Sequence, residues 1–453
     1  MVFTPTRREL IKKSLMAGLP LAVRPSAKEV SQKRRKKVQN PTSTIYRSIN
    51  GTPQENINKL VEMMGGIQKF IKSEDIVVIK PNVQWWNQGA PNLSALKRFV
   101  EIIFEMPGGF RGEVVIAENC HRGLSPKTSQ SSGWAQVFRR NADIPQINNF
   151  ADLTWKLKKK YGGQYTTQHW IDIAAGARRV YRPKDGEGYV YCDGKGGVPL
   201  LSCSNGLSGK TKRTTIMTYP IFITDKGTVV DFKNGIWEKG SYTGRSLRFI
   251  NFAAINHHSI FCGATSAIKN YLGVVDLSNN PNCLTERTLT ENYYNFHGFP
   301  FVDSPPGEQP ELLGAEVCSF MKSIRRADLN ITTAEWTGLA SRIDPPVAGT
   351  RAILASTDPV ALDYHATKYI LFSNSRVPIH NPDNVKSPVH KYISECAKGG
   401  GGVFNEERVA IKSYDIKRGR LQTDDDLPLV VDTTWGSNPK IIMKYLILRF
   451  GPI

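Results

Sequence analysis

The chain has 453 residues, 40% hydrophobic and 22% charged, the balance of one large folded domain or two. Its net charge is +20, but residues 1–40 hold eleven Lys or Arg against two acids, so +9 sits there and +11 is spread over the rest. That diluted excess, interrupted by Asp424-Asp425-Asp426, reads as a solvated basic surface, so nucleic acid is not the expected partner. No run of roughly 18 uninterrupted apolar residues occurs, and no integral membrane span is expected. The seven cysteines are scattered without a CxxC, which argues against a zinc knuckle, a ferredoxin-type cluster and a disulfide framework.

Thr6-Arg7-Arg8-Glu9-Leu10-Ile11-Lys12 resembles a twin-arginine export signal, and a short apolar stretch, Ser14 to Val23, follows it. Residues 1–42 are therefore expected to be a signal and a basic linker, addressing the protein to the periplasm or cell exterior. The alternative is a basic arm on a cytoplasmic protein. Export of a folded chain by this route often accompanies an inserted cofactor; none is identified by the residues, and a metal ion is the open candidate.

The folded core is expected over 43–415. Residues 55–71 carry Ile57, Leu60, Val61, Met64 and Ile67 at helical spacing. A buried-type strand follows at 75–80, stopped by Pro81, then a helix at 92–105 and a second strand at 113–117. Residues 150–245 break the alternation and read as an inserted β-rich region or lid. The alternation resumes with a strand at 247–255 and a helix at 263–272. Strands at 329–332 and 351–355, a helix at 359–371, a helix at 389–397 and a strand at 409–413 complete the core. The C-terminal extension, 416–453, ends in an apolar run, 441–450, that predicts an edge strand or a docking helix. The fold class is α/β: a mostly parallel sheet flanked by helices, with a β-rich insertion.

Four of these strands end in polar residues: Lys80-Pro81-Asn82, Glu118-Asn119-Cys120-His121, Asn256-His257-His258 and Ser356-Thr357-Asp358-Pro359. In a parallel sheet such ends share one edge, where α/β sites form. Asp358 also suits a helix N-cap, with Pro359 at the first helical position. Asp363 and His365 follow it and read equally well as surface. On a helix beginning at Gly263 and ended by Gly273, Thr265 and Lys269 share a face, and Asn270 lies beside them. A lysine held there can pair with a carboxylate or phosphate, or exchange a proton. Adjacent histidines point apart, so at most one of His257 and His258 is expected to serve, and His297 is a second imidazole. Cys262 reads as a buried, inert thiol.

These residues resemble the family called domain of unknown function 362. The match is carried by Lys80-Pro81-Asn82, by His258, Gly263, Thr265, Lys269, Asn270 and Gly273, by His297-Gly298, and by Ser356 to Asp363. It spans roughly residues 75–415. Members are often associated with iron–sulfur proteins through an appended ferredoxin-like module; this chain lacks those clustered cysteines, so an intrinsic cluster is not expected. Members usually show a lysine near position 256, where this chain has Asn256.

The resulting expectation is an exported enzyme acting on a small anionic or carbonyl substrate. Lys80, Asn82, Glu118, Asn119, Asn256, Thr265, Asn270, Thr357 and Asp358 would bind it, and His258, Lys269 and His297 would be catalytic. His258, His297 and Asp358 are the metal candidates. Two alternatives stand beside this reading: a metal- or iron–sulfur-associated protein working with a redox partner, and a glycan or polyanion binder using Trp85-Trp86.

Overall fold

The chain's central sheet has nine strands, in a computed structural model that describes residues 41–119, 133–170, 179–209, 212–277, 293–294 and 309–451. The expected export signal, Cys120, His121 and His297-Gly298 lie outside the described residues. In chain order the strands are β1 (Ser43–Ile49), β2 (Ile76–Pro81), β3 (Glu113–Glu118), β4 (Tyr165–His169), β5 (Leu247–Ala254), β6 (Leu329–Ala334), β7 (Ala352–Ser356), β8 (Val409–Asp415) and β9 (Arg420–Leu421). Across the sheet they run β9-β8-β1-β7-β6-β5-β2-β3-β4. The five from β6 to β4 are mutually parallel. β1 and β8 are also parallel to each other, but β7 is antiparallel to both of its neighbours.

β2 and β3 are buried along their whole length, as strands covered on both faces must be. Their alternate residues feed two cores. Val77, Ile79, Val114, Ile116, Ile250 and Phe252 pack under α1 (Pro53–Met63), α2 (Leu93–Phe104) and α3 (Phe150–Tyr161). Ile76, Val78 and Val115 pack on the opposite face with Tyr189, Phe222 and Phe232 of the β-rich region. Two N-caps start the first helices: Thr52 forms a capping box with Glu55, and Asn92 accepts from the Ala95 amide.

The β-rich insertion is smaller than 150–245. Residues Phe150–Tyr161 form a helix and Tyr165–His169 is the edge strand of the main sheet, joined parallel to β3. Phe150, Leu153 and Leu157 are the helical signal there, masked by the lysines and glycines that follow. The insertion proper carries a five-stranded antiparallel sheet built from residues 188–242, which covers one face of the main sheet where a helix would otherwise lie.

Further helices include α4 (Ala267–Asn270), α5 (Pro310–Ser323), α6 (Pro359–Ala366), which a π-helical turn continues over Thr367–Phe372, α7 (Pro388–Lys398) and α8 (Pro439–Phe450). Every residue of α6 is buried, so Asp363 and His365 are interior groups and not surface. The apolar run near the C-terminus is a helix, α8, capped by Asn438. The extension is tied to the core by buried Arg47, which donates to the Leu427 carbonyl at 2.7 Å and to Gln422 Oε1 at 2.7 Å. No helix of the described residues is long and apolar enough to cross a membrane.

Glu335, just past β6, is buried with Asn56 Nδ2 3.3 Å from its Oε1. Burial pushes its carboxyl up to about 8, against about 4.3 in an unfolded chain. The folded state thus keeps a proton that the unfolded chain releases between those values, and stability falls as pH rises from about 4 to about 8. Glu335→Gln is expected to raise stability near pH 8.5 by on the order of 1–3 kcal/mol and to change little near pH 4.5. Thermal unfolding at the two pH values checks this; an equal shift at both would refute it.

Candidate active-site cleft

Because β2, β3 and β5 are parallel and adjacent, their carboxyl ends meet at one edge. A small cleft of about 60 Å³ opens there, room for a group of a few atoms. Lys80, Asn82, Glu118, Asn119, Asn256, Thr265, Lys269 and Asn270 all line it. Eight of the expected site residues, from three segments of the chain, therefore converge.

Lys80 forms the floor. It is 1% exposed, and its Nζ donates to both Glu118 oxygens at 3.1 Å, to Asn270 Oδ1 at 2.7 Å and to the Pro81 carbonyl at 3.0 Å. Glu118 also accepts from the Val83 and Asn119 amides, at 3.1 and 2.9 Å. Burial draws the lysine below its usual range and the carboxyl above its own, and each charge works against the other's shift. Gly273 passes directly over this pair. A Cβ there would stand 2.5 Å from Lys80 Nζ and 2.7 Å from Glu118 Oε1, so only glycine fits while the pair keeps its geometry.

A row of polar side chains, unheralded by the strand-end reading, runs from this floor across the sheet. Lys80, Asn251, Asn330 and Ser356 are cross-strand neighbours on β2, β5, β6 and β7. Asn270 Nδ2 donates to Asn251 Oδ1 at 2.7 Å; Asn251 Nδ2 donates to Asn330 Oδ1 at 2.9 Å; Asn330 Nδ2 donates to the Ser356 carbonyl at 3.2 Å. Asn251, flanked by apolar residues on both sides in β5, was the available signal, since a buried amide needs partners.

The Asn256 to Gly273 segment folds differently from the single helix expected over 263–272. Asn256–His257 pairs antiparallel with Ala264–Thr265, and the helix begins only at Ala267. Gly263 sits in the turn at φ +72°, with no room for a Cβ beside the Ile379 carbonyl. Thr265 and Lys269 therefore do not share a helix face; Thr265 reaches the cleft as the strand partner of Asn256. The short helix is held from outside by Asp363, whose two carboxylate oxygens accept from the Ala267 and Ile268 amides at 2.8 and 2.9 Å. Burial pushes that carboxyl up to about 7, with these amides and Ser266 working to lower it.

Lys269 is 6% exposed and lines the cleft. Arg342, which the sequence did not single out, lines it too, with its guanidinium 4.4 Å from the centre of the Trp85 ring. The described lining residues include three cations, Lys80, Lys269 and Arg342, and one carboxylate, Glu118, which pairs with Lys80. Asn256 is fully buried, and among the described residues neither of its side-chain amide atoms has a partner; Asn119 Oδ1 likewise has none there. Asn119 Nδ2 is used, donating to Tyr189 Oη and to the Val275 carbonyl. Asn82 is a structural member of the wall, accepting from the Ala254 amide and donating to the Gly89 carbonyl, both at 2.8 Å.

The two histidines do part, as adjacent side chains on a strand must. His257 faces inward, its Nδ1 2.9 Å from His380 Nε2, and burial holds both imidazoles below the usual range. His258 stands behind the cleft, its Nε2 3.3 Å from Arg342 Nη1. A guanidinium only donates, so this Nε2 accepts and the ring proton belongs on Nδ1, 3.2 Å from Ser259 Oγ. Cys262 is buried, and burial raises its thiol.

Thr357 and Asp358 are a correction. β7 is antiparallel to β6, so its carboxyl end lies at the opposite edge from the cleft. Thr357 is exposed there. Asp358 caps α6 through the Val360 and Ala361 amides, both at 3.0 Å, and accepts from the Val403 amide at 2.9 Å. The metal candidates His258 and Asp358 consequently do not meet, and His297 lies outside the described residues. Among the described residues no three His, Cys, Asp or Glu stand together as a metal-holding group. In comparisons with known proteins, no family model, no curated protein and no solved structure matches this chain.

Proposed function

We propose that this chain is an exported enzyme whose cleft takes a small anionic or carbonyl substrate. The observation that carries the reading is that two cations, Lys269 and Arg342, line one cleft with a fully buried Asn256 side-chain amide that has no partner among the described residues. A buried amide left unpaired costs about 1–3 kcal/mol, which a ligand supplying one acceptor and one donor recovers. A carboxylate or phosphate oxygen would meet the two cations, and a neighbouring hydroxyl or carbonyl would meet Asn256. Lys80 and Glu118 neutralise each other and serve as the floor. Lys269 is the group placed to exchange a proton with bound substrate, and His258, through Nε2, orients Arg342. Membership of the domain of unknown function 362 family, proposed from the Lys-Pro-Asn and Lys-Asn blocks, would place the same residues in a shared site. The Arg7-Arg8 pair supports export.

Calorimetric titration with inorganic phosphate and with small 2-oxo acids tests the reading. Wild-type protein is expected to bind at least one of them, and Lys269→Ala and Arg342→Ala to weaken it by about tenfold or more each, as loss of a charge-assisted contact implies. Retention of full affinity in both variants would remove the cleft from consideration.

A further inference from the structure

A second depression lies on the other side of the Trp85-Trp86 step. It is a groove of about 800 Å³, lined by Trp86, Arg139, Arg140, Asp344 and Trp435 among others. It shares its dividing wall with the cleft: Trp85 and Arg342 face one side, and their chain neighbours Trp86 and Ile343 face the other. The two indoles of the wall are 5.9 Å apart. Asn87 locks the wall in place. Its Nδ2 donates to the Ile343 carbonyl at 2.8 Å, and its Oδ1 accepts from the Arg139 amide at 2.7 Å. Three separate loops are thereby fixed around one rim, so the groove is a built feature.

Its chemistry is specific. Trp86 and Trp435 are half-buried and line the groove. Trp435 is braced edge-on by Tyr445, ring centres 5.5 Å apart. Arg139 is exposed, and Arg140 is half-buried with its guanidinium 5.8 Å from the Trp336 ring centre. Against these two cations stands Asp344, leaving one net positive charge among the charged side chains named. Its volume lies in the upper part of the roughly 300–1,000 Å³ range of ligand pockets, with room for more than one ring. Flat aromatic faces, spaced cations and a carboxylate suit a ligand with ring faces, hydroxyls and sparse negative charge. A nucleic-acid strand carries one charge per nucleotide and calls for a more basic track.

We infer that this groove is a second subsite, which takes the remaining sugar units of an acidic oligosaccharide whose terminal anionic group enters the cleft. The inference rests on the anion-binding reading of the cleft and adds the substrate class. The sugar rings lie against Trp86 and Trp435, and a carboxylate two or more units from the terminus meets Arg139 and Arg140.

Oligogalacturonate of six units and monomeric galacturonate are titrated into the full-length protein by calorimetry. The hexamer is expected to bind at least about tenfold more tightly than the monomer, and Arg139→Gln with Arg140→Gln to abolish that advantage while leaving monomer binding unchanged. Arg139 is exposed, so Arg139→Gln alone supplies a variant with little risk to folding, expected to lose about threefold for the hexamer. Lys269→Ala should weaken monomer and hexamer alike. A hexamer that binds no better than the monomer, or whose advantage survives both arginine substitutions, overturns the inference. So does tighter binding of a single-stranded hexanucleotide at the same residues. If Lys269→Ala alone has no effect while the arginine variants lose the hexamer, the cleft reading fails and the groove remains a glycan site.

Discussion

Lys80→Ala is expected to cost the fold about 3–5 kcal/mol, the loss typical of removing one partner from a buried ion pair. The reason is the state of what remains. Glu118 is 5% exposed and would keep two backbone donors, but its negative charge would face the Asn270 carbonyl oxygen with no cation between. Asn270 would lose its strongest anchor, and the row through Asn251 and Asn330 depends on it. The size of the loss therefore reports on charge and not on volume. Lys80→Met combined with Glu118→Gln fills the same space without a charge, and glutamine can still accept from Val83 or Asn119. The double variant is expected to recover most of the loss. Urea unfolding of the three proteins measures this. A single variant within about 1 kcal/mol of wild type would show that the pair is not the keystone of the cleft floor.

Asp363→Ala is expected to separate the site from the fold. The Ala267 and Ile268 amides would lose the carboxylate they donate to, in a place where no residue of the helix is exposed. Two hydrogen bonds to a carboxylate at a helix start are worth about 2–4 kcal/mol together. The helix has four residues, too few to hold itself, and it carries both Lys269 and Asn270. Its drift would move Lys269 relative to Arg342, which is fixed independently against Trp85 and His258. Affinity for a small anion should fall by about tenfold to a hundredfold, while the remaining secondary structure is kept. Asp363→Asn retains one acceptor and should recover part of that affinity. Anion titration alongside far-ultraviolet circular dichroism distinguishes the outcomes. Unchanged affinity in the alanine variant would mean that α6 does not position the site.

The local patterns fared unevenly, and the reasons are physical. β2, β3 and β5 are mostly apolar runs ended by polar residues, the signature of strands covered on both faces, so their strand character and the position of Lys80, Glu118 and Asn256 were readable. The same signature at Ala352–Ser356 was equally clear as a strand and gave the wrong edge for Thr357 and Asp358. Nothing within five residues of a strand encodes the direction of its neighbours. Arg342 lay in a loop with no periodicity and became a cleft residue only by the approach of Trp85.

From the chain alone came the α/β class, the segments that end in polar chemistry, the helix cap at Asp358 and the peculiarity of a Lys-Asn pair four residues ahead of a glycine. These follow from side-chain period and turn chemistry, which are local. The tertiary structure alone decided that β7 is reversed, that Gly273 is the lid on a buried ion pair, and that Asp363 serves a helix nearly a hundred residues away in sequence. It also decided that two cations and an unpaired amide face one cleft. Those are statements about distance between segments, and distance is set by which faces pack, not by any residue's own neighbours in the chain.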